Sequence, residues 1–432
     1  MLAGAPSSVD LLVGGASAVA TCVPARTDLR RPARRAELGD TGAIAGGAVA
    51  IDGGRIVAVG AEPELRARYA PRATLDARGG VVIPGLVDAH THPVFVGGRE
   101  DEFERRTRGE TYAQIAAAGG GIVSSVRALR AASDAELEAL VRRRLDRFVA
   151  LGTTTVEAKS GYGLSVADEL RSLRVLAAAS RGHAARVVPT LLAAHALPPE
   201  RTSDRSGWLR AIRDEIAPAA ARERLAVFHD VFVDAGYFTV DEARELLAST
   251  AALGLRPKLH ADELGATGAT ELAVDLGAAS ADHLDHVSPR GVERIAASET
   301  IAVLTPGVSH FLRAAGDAPA RALIDAGAAV AVATDYNPGT CPSPSLFEAM
   351  HLACVRMRLS AAEALVAATR NAAFAVGLGG EAGVIAPGAR ADLVVCDVPD
   401  LRDLVYAFGR PPVAAVVAAG RVVPSPDPSA FV

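Results

Sequence analysis

Two histidines separated by a single residue lie at the end of an apolar run that is typical of a buried β-strand. His90 and His92 follow the stretch Val-Val-Ile-Pro-Gly-Leu-Val at residues 81–87. Because side chains alternate between the two faces of a strand, both imidazoles point the same way. Imidazole nitrogen is a common metal ligand in proteins. The spacing therefore predicts a metal site at the end of this strand.

Two further residues complete a candidate ligand set. His260 opens the sequence His-Ala-Asp-Glu at residues 260–263, and Asp335 follows a run of small apolar residues. Three imidazoles and one carboxylate suit zinc and iron alike and leave a position for water. We therefore predict one divalent metal per chain, Zn²⁺ or Fe²⁺/Fe³⁺, bound by His90, His92, His260 and Asp335.

Proton-transfer groups lie close to these ligands in the sequence. A metal of this kind lowers the pKa of water to about 7, but a base must still take the proton. We expect Glu263 to take that proton and return it to a leaving group. His283 ends the next strand, and we expect it to hydrogen-bond an oxyanion, with metal ligation as the alternative. Lys159, as a carbamate bridging two metals, is a further alternative.

Strand-like runs that alternate with Ala-, Leu- and Arg-rich helical stretches surround these residues. The eight strand candidates are residues 81–88, 153–159, 185–195, 225–233, 257–261, 278–283, 301–305 and 328–335. Repeated βα units predict an α/β fold, here a closed (β/α)8 barrel, in which catalytic groups gather at the carboxyl ends of the strands.

Both ends of the chain contain short, glycine-punctuated strand patterns. We expect them to meet in one small β-sandwich domain, made of residues 1–80 and 377–432, beside a barrel of residues 81–376. The basic segment 26–35 is predicted to be a charged surface loop between edge strands.

Composition excludes several classes of partner. The formal net charge is -5, which gives no basic stripe for nucleic acid, and no apolar run approaches the length that spans a membrane. The four cysteines are scattered without a metal-binding pair, as is usual in a reducing compartment. We expect a cytoplasmic protein that acts on a small molecule, without nucleic-acid or membrane partners, and forms a homodimer.

Longer motifs resemble a known superfamily. Residues 84–92, Pro-Gly-Leu-Val-Asp-Ala-His-Thr-His, and residues 383–395 are similar to the amidohydrolase superfamily, whose members combine a metal barrel with a composite β-sandwich. Residues 157–164, 194–200 and 333–340, with the Gly-Gly-Arg at 97–99 and residues 118–122, resemble the imidazolonepropionase family more specifically. The resemblance implies hydrolytic ring opening of 4-imidazolone-5-propanoate to N-formimidoyl-L-glutamate in histidine degradation.

The resemblance also implies a substrate-binding set. Arg99 would grip the propanoate, because a guanidinium can form two parallel hydrogen bonds to a carboxylate. The alternative for Arg99 is a surface ion pair with Glu100 or Asp101. The remaining implied contacts are Tyr112, Tyr162, His195, Glu263, Asn337, Gly339 and Thr340. Asn-Pro-Gly at residues 337–339 is also a good tight turn, and both roles can hold.

Two positions depart from the pattern of this family. The acid/base position is often Gln in relatives but is Glu263 here. The fourth strand ends in Val233-Asp234 where relatives more often show Cys and Glu, so Val233 and Asp234 are given no role.

Two rival functions stay open. A deaminase of guanine or cytosine would share the metal ligands but would not need Arg99. A non-catalytic scaffold would need no ligands at all.

Overall fold

The computed structural model describes residues 6–24, 28–111, 114–115 and 118–424. The strands of this described part are β1 (Ser7–Gly14), β2 (Ala18–Ala20), β3 (Ala43–Ala45), β4 (Gly47–Asp52), β5 (Arg55–Ala61), β6 (Tyr69–Asp76), β7 (Val81–Pro84), β8 (Leu86–Asp88), β9 (Thr153–Lys159), β10 (Arg186–Ala194), β11 (Phe228–Val233), β12 (Arg256–Ala261), β13 (Ser280–His283), β14 (Ile301–Leu304), β15 (Val330–Val332), β16 (Leu393–Cys396), β17 (Val413–Ala418) and β18 (Arg421–Val423).

The helices lie mainly between the strands of the middle region. They are α1 (Glu62–Arg68), α2 (Glu100–Thr107), α3 (Ile122–Ala131), α4 (Asp134–Ala150), α5 (Val166–Ser180), α6 (Arg205–Ala211), α7 (Ala217–Arg222), α8 (Val240–Ala251), α9 (Ala269–Asp275), α10 (Pro289–Ala296), α11 (Pro306–Phe311), α12 (Ala320–Ala326), α13 (Leu346–Met357), α14 (Ala361–Val366), α15 (Ala372–Ala375) and α16 (Asp403–Tyr406). Short 3₁₀ turns span Arg35–Gly39 and Pro199–Arg201, and π-helical turns span Ile212–Ile216 and Ala367–Asn371.

Eight parallel strands form the barrel, as the sequence predicts. Strands β8 to β15 follow one another in chain order within one sheet. Each predicted strand is present, and β9 has the predicted bounds. Most side chains of these strands are inaccessible to solvent, as expected for strands that form the wall of a closed barrel. No helix of the described residues is long and apolar enough to cross a membrane.

The seam between the first and last barrel strands is closed by the residues that follow them. The backbone N–H of Asp335 donates to His90 O at 3.0 Å, and that of His92 donates to Tyr336 O at 2.8 Å. The Asp88 carboxylate also accepts hydrogen bonds from the backbone and hydroxyl of Thr334, at 3.1 and 2.6 Å. The chain therefore completes the barrel with the segments that carry the predicted ligands.

Two smaller sheets stand beside the barrel. One has four strands in the order β5-β4-β1-β6, and the other has six in the order β18-β17-β16-β7-β2-β3. The six-stranded sheet combines both ends of the chain, because β7 pairs antiparallel with β16. The predicted composite sheet domain is confirmed in this respect, whereas its boundaries stay a prediction.

The apolar run at residues 81–88 is two strands rather than one. Val81–Pro84 joins the six-stranded sheet, and Leu86–Asp88 begins the barrel. Gly85 lies between them, and a Cβ at this position would collide with the side chains of Thr154 and Asp392. Only glycine lets the chain pass so closely from one sheet to the other.

Candidate active site

The four predicted metal ligands come together at the carboxyl end of the barrel. His90 Nε2 lies 3.2 Å from His92 Nε2 and 3.1 Å from His260 Nε2. His92 Nε2 lies 3.2 Å from Asp335 Oδ1. Within the described residues, ligand atoms of His90, His92 and Asp335 form one compact group, and those of His90, His260 and His283 form a second. The two groups share His90, so they describe one site.

The donor atoms fit a divalent transition metal. Burial lowers the pKa of His92 and of His283 to about 3, and it also lowers the pKa of His90 and of His260. Neutral imidazoles present nitrogen lone pairs, and Asp335 adds a carboxylate. His283 Nε2 is buried and has no hydrogen-bond partner among the described residues. Such a set suits zinc or iron.

Two carboxylates below the ligands orient their rings. Asp282 Oδ2 lies 2.6 Å from His90 Nδ1, and Asp230 Oδ2 lies 3.0 Å from His260 Nδ1. A carboxylate at Nδ1 favours the tautomer that leaves Nε2 free for a metal. The sequence predicts neither aspartate as part of the site. Strand alternation alone places Asp282 and His283 on opposite faces, and both faces of this strand are buried.

Glu263 and His283 face each other beside the ligands. His283 Nε2 lies 3.6 Å from Glu263 Oε2 and 3.9 Å from Asp335 Oδ2. Burial, with the nearby carboxylates of Asp335, Asp285 and Asp234, raises the pKa of Glu263 well above its usual range. A carboxyl group in such surroundings is suited to exchange protons with a reactant.

Two aspartates hold the backbone around Glu263. Asp262, 1% exposed, accepts hydrogen bonds from the backbone N–H groups and hydroxyls of Thr267 and Thr270 at the start of α9. Asp234, for which the sequence predicts no role, accepts from the Leu264 N–H at 2.7 Å. The segment that carries Glu263 is therefore fixed from both sides.

A cavity of about 40 Å³ opens onto these groups. Its walls include the ligands His92, His260 and Asp335 and the predicted substrate residues Arg99, Tyr162, His195, Glu263, Asn337 and Thr340. Gly339 instead packs against the guanidinium of Arg99. Tyr112 lies outside the described residues, so its contact with substrate stays a prediction.

Arg99 brings a buried cation to this cavity. Its side chain is 5% exposed, and its Nε lies 3.4 Å from Glu102 Oε2. The anticipated surface pair with Glu100 or Asp101 is not formed within the described residues. Neither Nε nor Nη1 has a hydrogen-bond partner there. A buried guanidinium with spare donors favours an anionic ligand, because unpaired buried donors are costly.

Aromatic rings and a tight turn complete the cavity. His195 stacks on His92 with ring centroids 5.2 Å apart, and its Nδ1 lies 3.0 Å from Gly161 O. Tyr162 lies against the His195 ring, with centroids 5.3 Å apart. The Asn337 amide donates to Asp335 O at 2.7 Å and accepts from Gly339 N and Thr340 N. Asn337 thus forms the turn, and its contact with substrate stays a prediction.

The surroundings of Lys159 disfavour its modification to a bridging carbamate. Its Nζ donates to Glu157 Oε1 and to Asp230 Oδ2, both at 2.8 Å. Burial alone would lower the pKa of Lys159, but the carboxylates of Asp230, Glu157 and Asp282 raise it above its usual range. A carbamate would place a further negative charge between carboxylates, which like-charge repulsion disfavours.

Two family models match the chain. The amidohydrolase family model matches residues 81–423, and the model of the bacterial imidazolonepropionase-like composite domain matches residues 47–70. The barrel, the composite sheet and the metal-ligand geometry agree with the first match. The chain belongs to the amidohydrolase family.

Relatives that match almost end to end specify the branch of this family. A protein from Symbiobacterium thermophilum named imidazolonepropionase is 46% identical over 419 residues, which cover 96% of this chain and 97% of the relative. A protein of the same name from Rubrobacter xylanophilus is 47% identical over 396 residues, covering 91% and 94%. Within the amidohydrolases, the chain therefore belongs with the imidazolonepropionase family.

Solved structures share the fold at lower identity. An adenosine deaminase from Xanthomonas campestris with bound zinc aligns with a TM-score of 0.71 and 22% identity, covering 96% of this chain and 93% of the other. A triazine hydrolase from Arthobacter aurescens aligns with a TM-score of 0.71 and 18% identity, covering 95% and 94%. These matches support the architecture alone.

Proposed function

We propose that this chain hydrolyses 4-imidazolone-5-propanoate to N-formimidoyl-L-glutamate, a ring opening at a cyclic amide in histidine degradation. The names of its nearly full-length relatives support this proposal. The observation that carries it is Arg99, a buried guanidinium in the wall of the cavity that also contains Glu263, His92 and His260. Its Nε and Nη1 have no hydrogen-bond partner among the described residues. A reaction on a neutral base would leave these two donors without an acceptor.

We propose that His90, His92, His260 and Asp335 hold one divalent ion per chain, zinc or iron. When bound, such an ion lowers the pKa of a water molecule and supplies a nucleophile at neutral pH. The convergence of three Nε2 atoms and a carboxylate oxygen supports this assignment.

Glu263 acts as the proton shuttle in this proposal. It takes a proton from the attacking water and delivers it to the ring nitrogen that leaves, so that one carboxyl group serves as base and then as acid. Its raised pKa favours the protonated form that the second step requires.

His283 acts as the oxyanion donor. Thr305 Oγ1 lies 2.9 Å from His283 Nδ1. When the hydroxyl donates to Nδ1, Nε2 carries the ring proton and can donate to the oxygen that becomes negative at the ring carbonyl. Metal ligation by Nε2 would require the other tautomer, so the two roles of His283 exclude each other in one state.

We infer that Arg99 binds the propanoate while Tyr162 and His195 contact the ring, with the turn at Asn337, Gly339 and Thr340 shaping the carboxylate end. We also propose that the protein is a homodimer in the cytoplasm, without nucleic-acid or membrane partners. The net charge of -5 supports the absence of a polyanionic partner.

A substrate comparison tests this proposal. Purified protein is given freshly generated 4-imidazolone-5-propanoate, guanine or cytosine, and products are identified by mass spectrometry. The expected result is N-formimidoyl-glutamate from the first compound alone. In the variant Arg99→Lys, which keeps the charge but loses the planar pair of donors, we expect KM to rise about tenfold or more. Deamination of a base, unaffected by Arg99→Lys, would contradict the proposal.

A further inference from the structure

Lysine is almost absent from this chain. Of its 45 basic residues, two are lysines, Lys159 and Lys258, and the rest are arginines. Both lysines are on barrel strands, and both are completely buried. All the remaining basic positions are arginine, so the chain has an ammonium side chain at two positions only, both inside the barrel.

The surroundings of Lys159 explain why an ammonium group suits this position. Its Nζ lies 2.8 Å from Glu157 Oε1, 2.8 Å from Asp230 Oδ2 and 3.7 Å from Asp282 Oδ2. An ammonium is compact and can direct three donors to acceptors in different directions, whereas a guanidinium is planar and larger. Lys159 therefore joins three buried carboxylates around one point.

Two of those carboxylates hold proposed metal ligands. Asp230 contacts His260 twice, with Oδ2 3.0 Å from the ring Nδ1 and Oδ1 accepting the backbone N–H at 3.1 Å. Asp282 contacts His90 Nδ1 at 2.6 Å. A path of contacts that is specific to Lys159 thus runs through Asp230 to His260. Asp282 lies at similar distances from the two lysines, 3.7 Å from Lys159 Nζ and 3.6 Å from Lys258 Nζ.

We propose that Lys159 is a positioning residue for the metal site. By fixing Asp230 directly, Lys159 holds the His260 ring with Nε2 directed at the shared ligand position. This inference rests on the proposed metal ligands. It does not depend on which substrate the protein uses.

Lys258 provides a matched control inside the same barrel. It is equally buried, but its hydrogen bond goes to the backbone oxygen of Ala89 at 2.9 Å. Its distances to Asp282 and Glu157 are 3.6 and 3.8 Å, and it forms no ion pair with Asp230 among the described residues. Removing either ammonium leaves a similar void and unpaired carboxylates, whereas only Lys159 contacts the aspartate that holds His260.

Metal affinity without substrate is the test. Metal-stripped wild type, Lys159→Met, Lys159→Arg and Lys258→Met are titrated with zinc against a chromogenic chelator. Loss of groups that orient ligands typically weakens metal binding 10–100-fold. We expect a decrease of about tenfold or more for both Lys159 variants, and less than about threefold for Lys258→Met. Equal effects at both lysines, or wild-type affinity in Lys159→Arg, would overturn the proposal.

A spectroscopic readout covers the case in which the Lys159 variants fail to fold. Lysine labelled with ¹³C at Cε gives two side-chain signals in the wild-type protein, and Lys258→Met identifies which is which. Zinc should shift the Lys159 signal more than the Lys258 signal, because only Lys159 contacts Asp230. Equal shifts, or none at Lys159, would contradict the proposal. Zinc binding with normal lysine signals but no imidazolonepropanoate turnover would instead count against the proposed function.

Discussion

Glu263 joins three features that proton transfer requires: a position beside the ligand cluster, a raised pKa, and a backbone held by neighbouring groups. Asp262 and Asp234 fix that backbone through hydrogen bonds. The Asp234 carboxylate also contributes, together with burial, to the raised pKa of Glu263. One of the two residues that place Glu263 in the cavity thereby helps to tune its chemistry.

Replacing Glu263 with Ala should separate metal binding from turnover. We expect normal metal content, because Glu263 is not among the proposed ligands, and a decrease in kcat of about 10²–10⁴-fold, which is typical for loss of a general acid/base. Metal analysis and steady-state rates on one preparation measure both. Glu64→Ala, at an exposed position of α1, is the control. Near-normal turnover would remove Glu263 from the mechanism.

The turn after β15 links the proposed metal site to the proposed carboxylate site. Asp335 begins this turn, Asn337 closes it, and Gly339 lies against the Arg99 guanidinium. A side chain at Gly339 would overlap that guanidinium, so glycine here keeps Arg99 in the cavity wall.

Gly339→Ala should therefore displace Arg99. We expect KM for the propanoate substrate to rise about tenfold, with a smaller change in kcat, because the variant disturbs carboxylate binding but no proposed metal ligand or proton donor. Gly316→Ala, where a Cβ would meet no atom within 4 Å, is the matched control. An unchanged KM in Gly339→Ala would show that Arg99 does not bind the carboxylate.

The periodic elements, and the clustering of the proposed ligand residues, were predictable from the sequence. Alternating βα patterns predicted all eight barrel strands, and the spacing of His90, His92 and His260 predicted their convergence. The break at Gly85 was not predictable, because an uninterrupted apolar run carries no sign of a change of sheet. Asp282 and Asp230 were missed as orienting groups because contacts between strands depend on register, which the barrel alone supplies. The unpaired donors of Arg99 likewise emerge only from its packing.

In the whole molecule, Arg34 anchors the described part of the basic segment, residues 28–35, to the barrel, whereas residues 26 and 27 of that segment lie outside the described residues. Arg34 Nη1 donates to Ala296 O and Gly327 O, and its Nη2 donates to Ser298 O at 2.6 Å. These carbonyls lie at the ends of α10 and α12, where a cation is favourable. The segment was predicted as a charged surface loop, and Arg34 gives it a structural contact as well.

Arg34→Ala should destabilise the fold and leave the site intact. Losing three hydrogen bonds from a charged donor should lower the free energy of unfolding by about 1–3 kcal/mol. Thermal melting of the metal-loaded protein should show a lower Tm, with zinc affinity unchanged. Arg30→Ala removes an exposed arginine that pairs with Asp28, and should have little effect. A Tm equal to that of wild type would contradict the anchoring role of Arg34.

In the function proposed for this chain, one metal site in the barrel opens a carboxylate-bearing ring. The most direct test measures metal content per chain and the ultraviolet loss of freshly generated 4-imidazolone-5-propanoate on one preparation, before and after chelator treatment and metal restoration. We predict about one zinc or iron per chain, with substrate loss that disappears on chelation and returns with metal. Full turnover by metal-free protein, or metal-loaded protein that leaves the substrate intact, would contradict the claim.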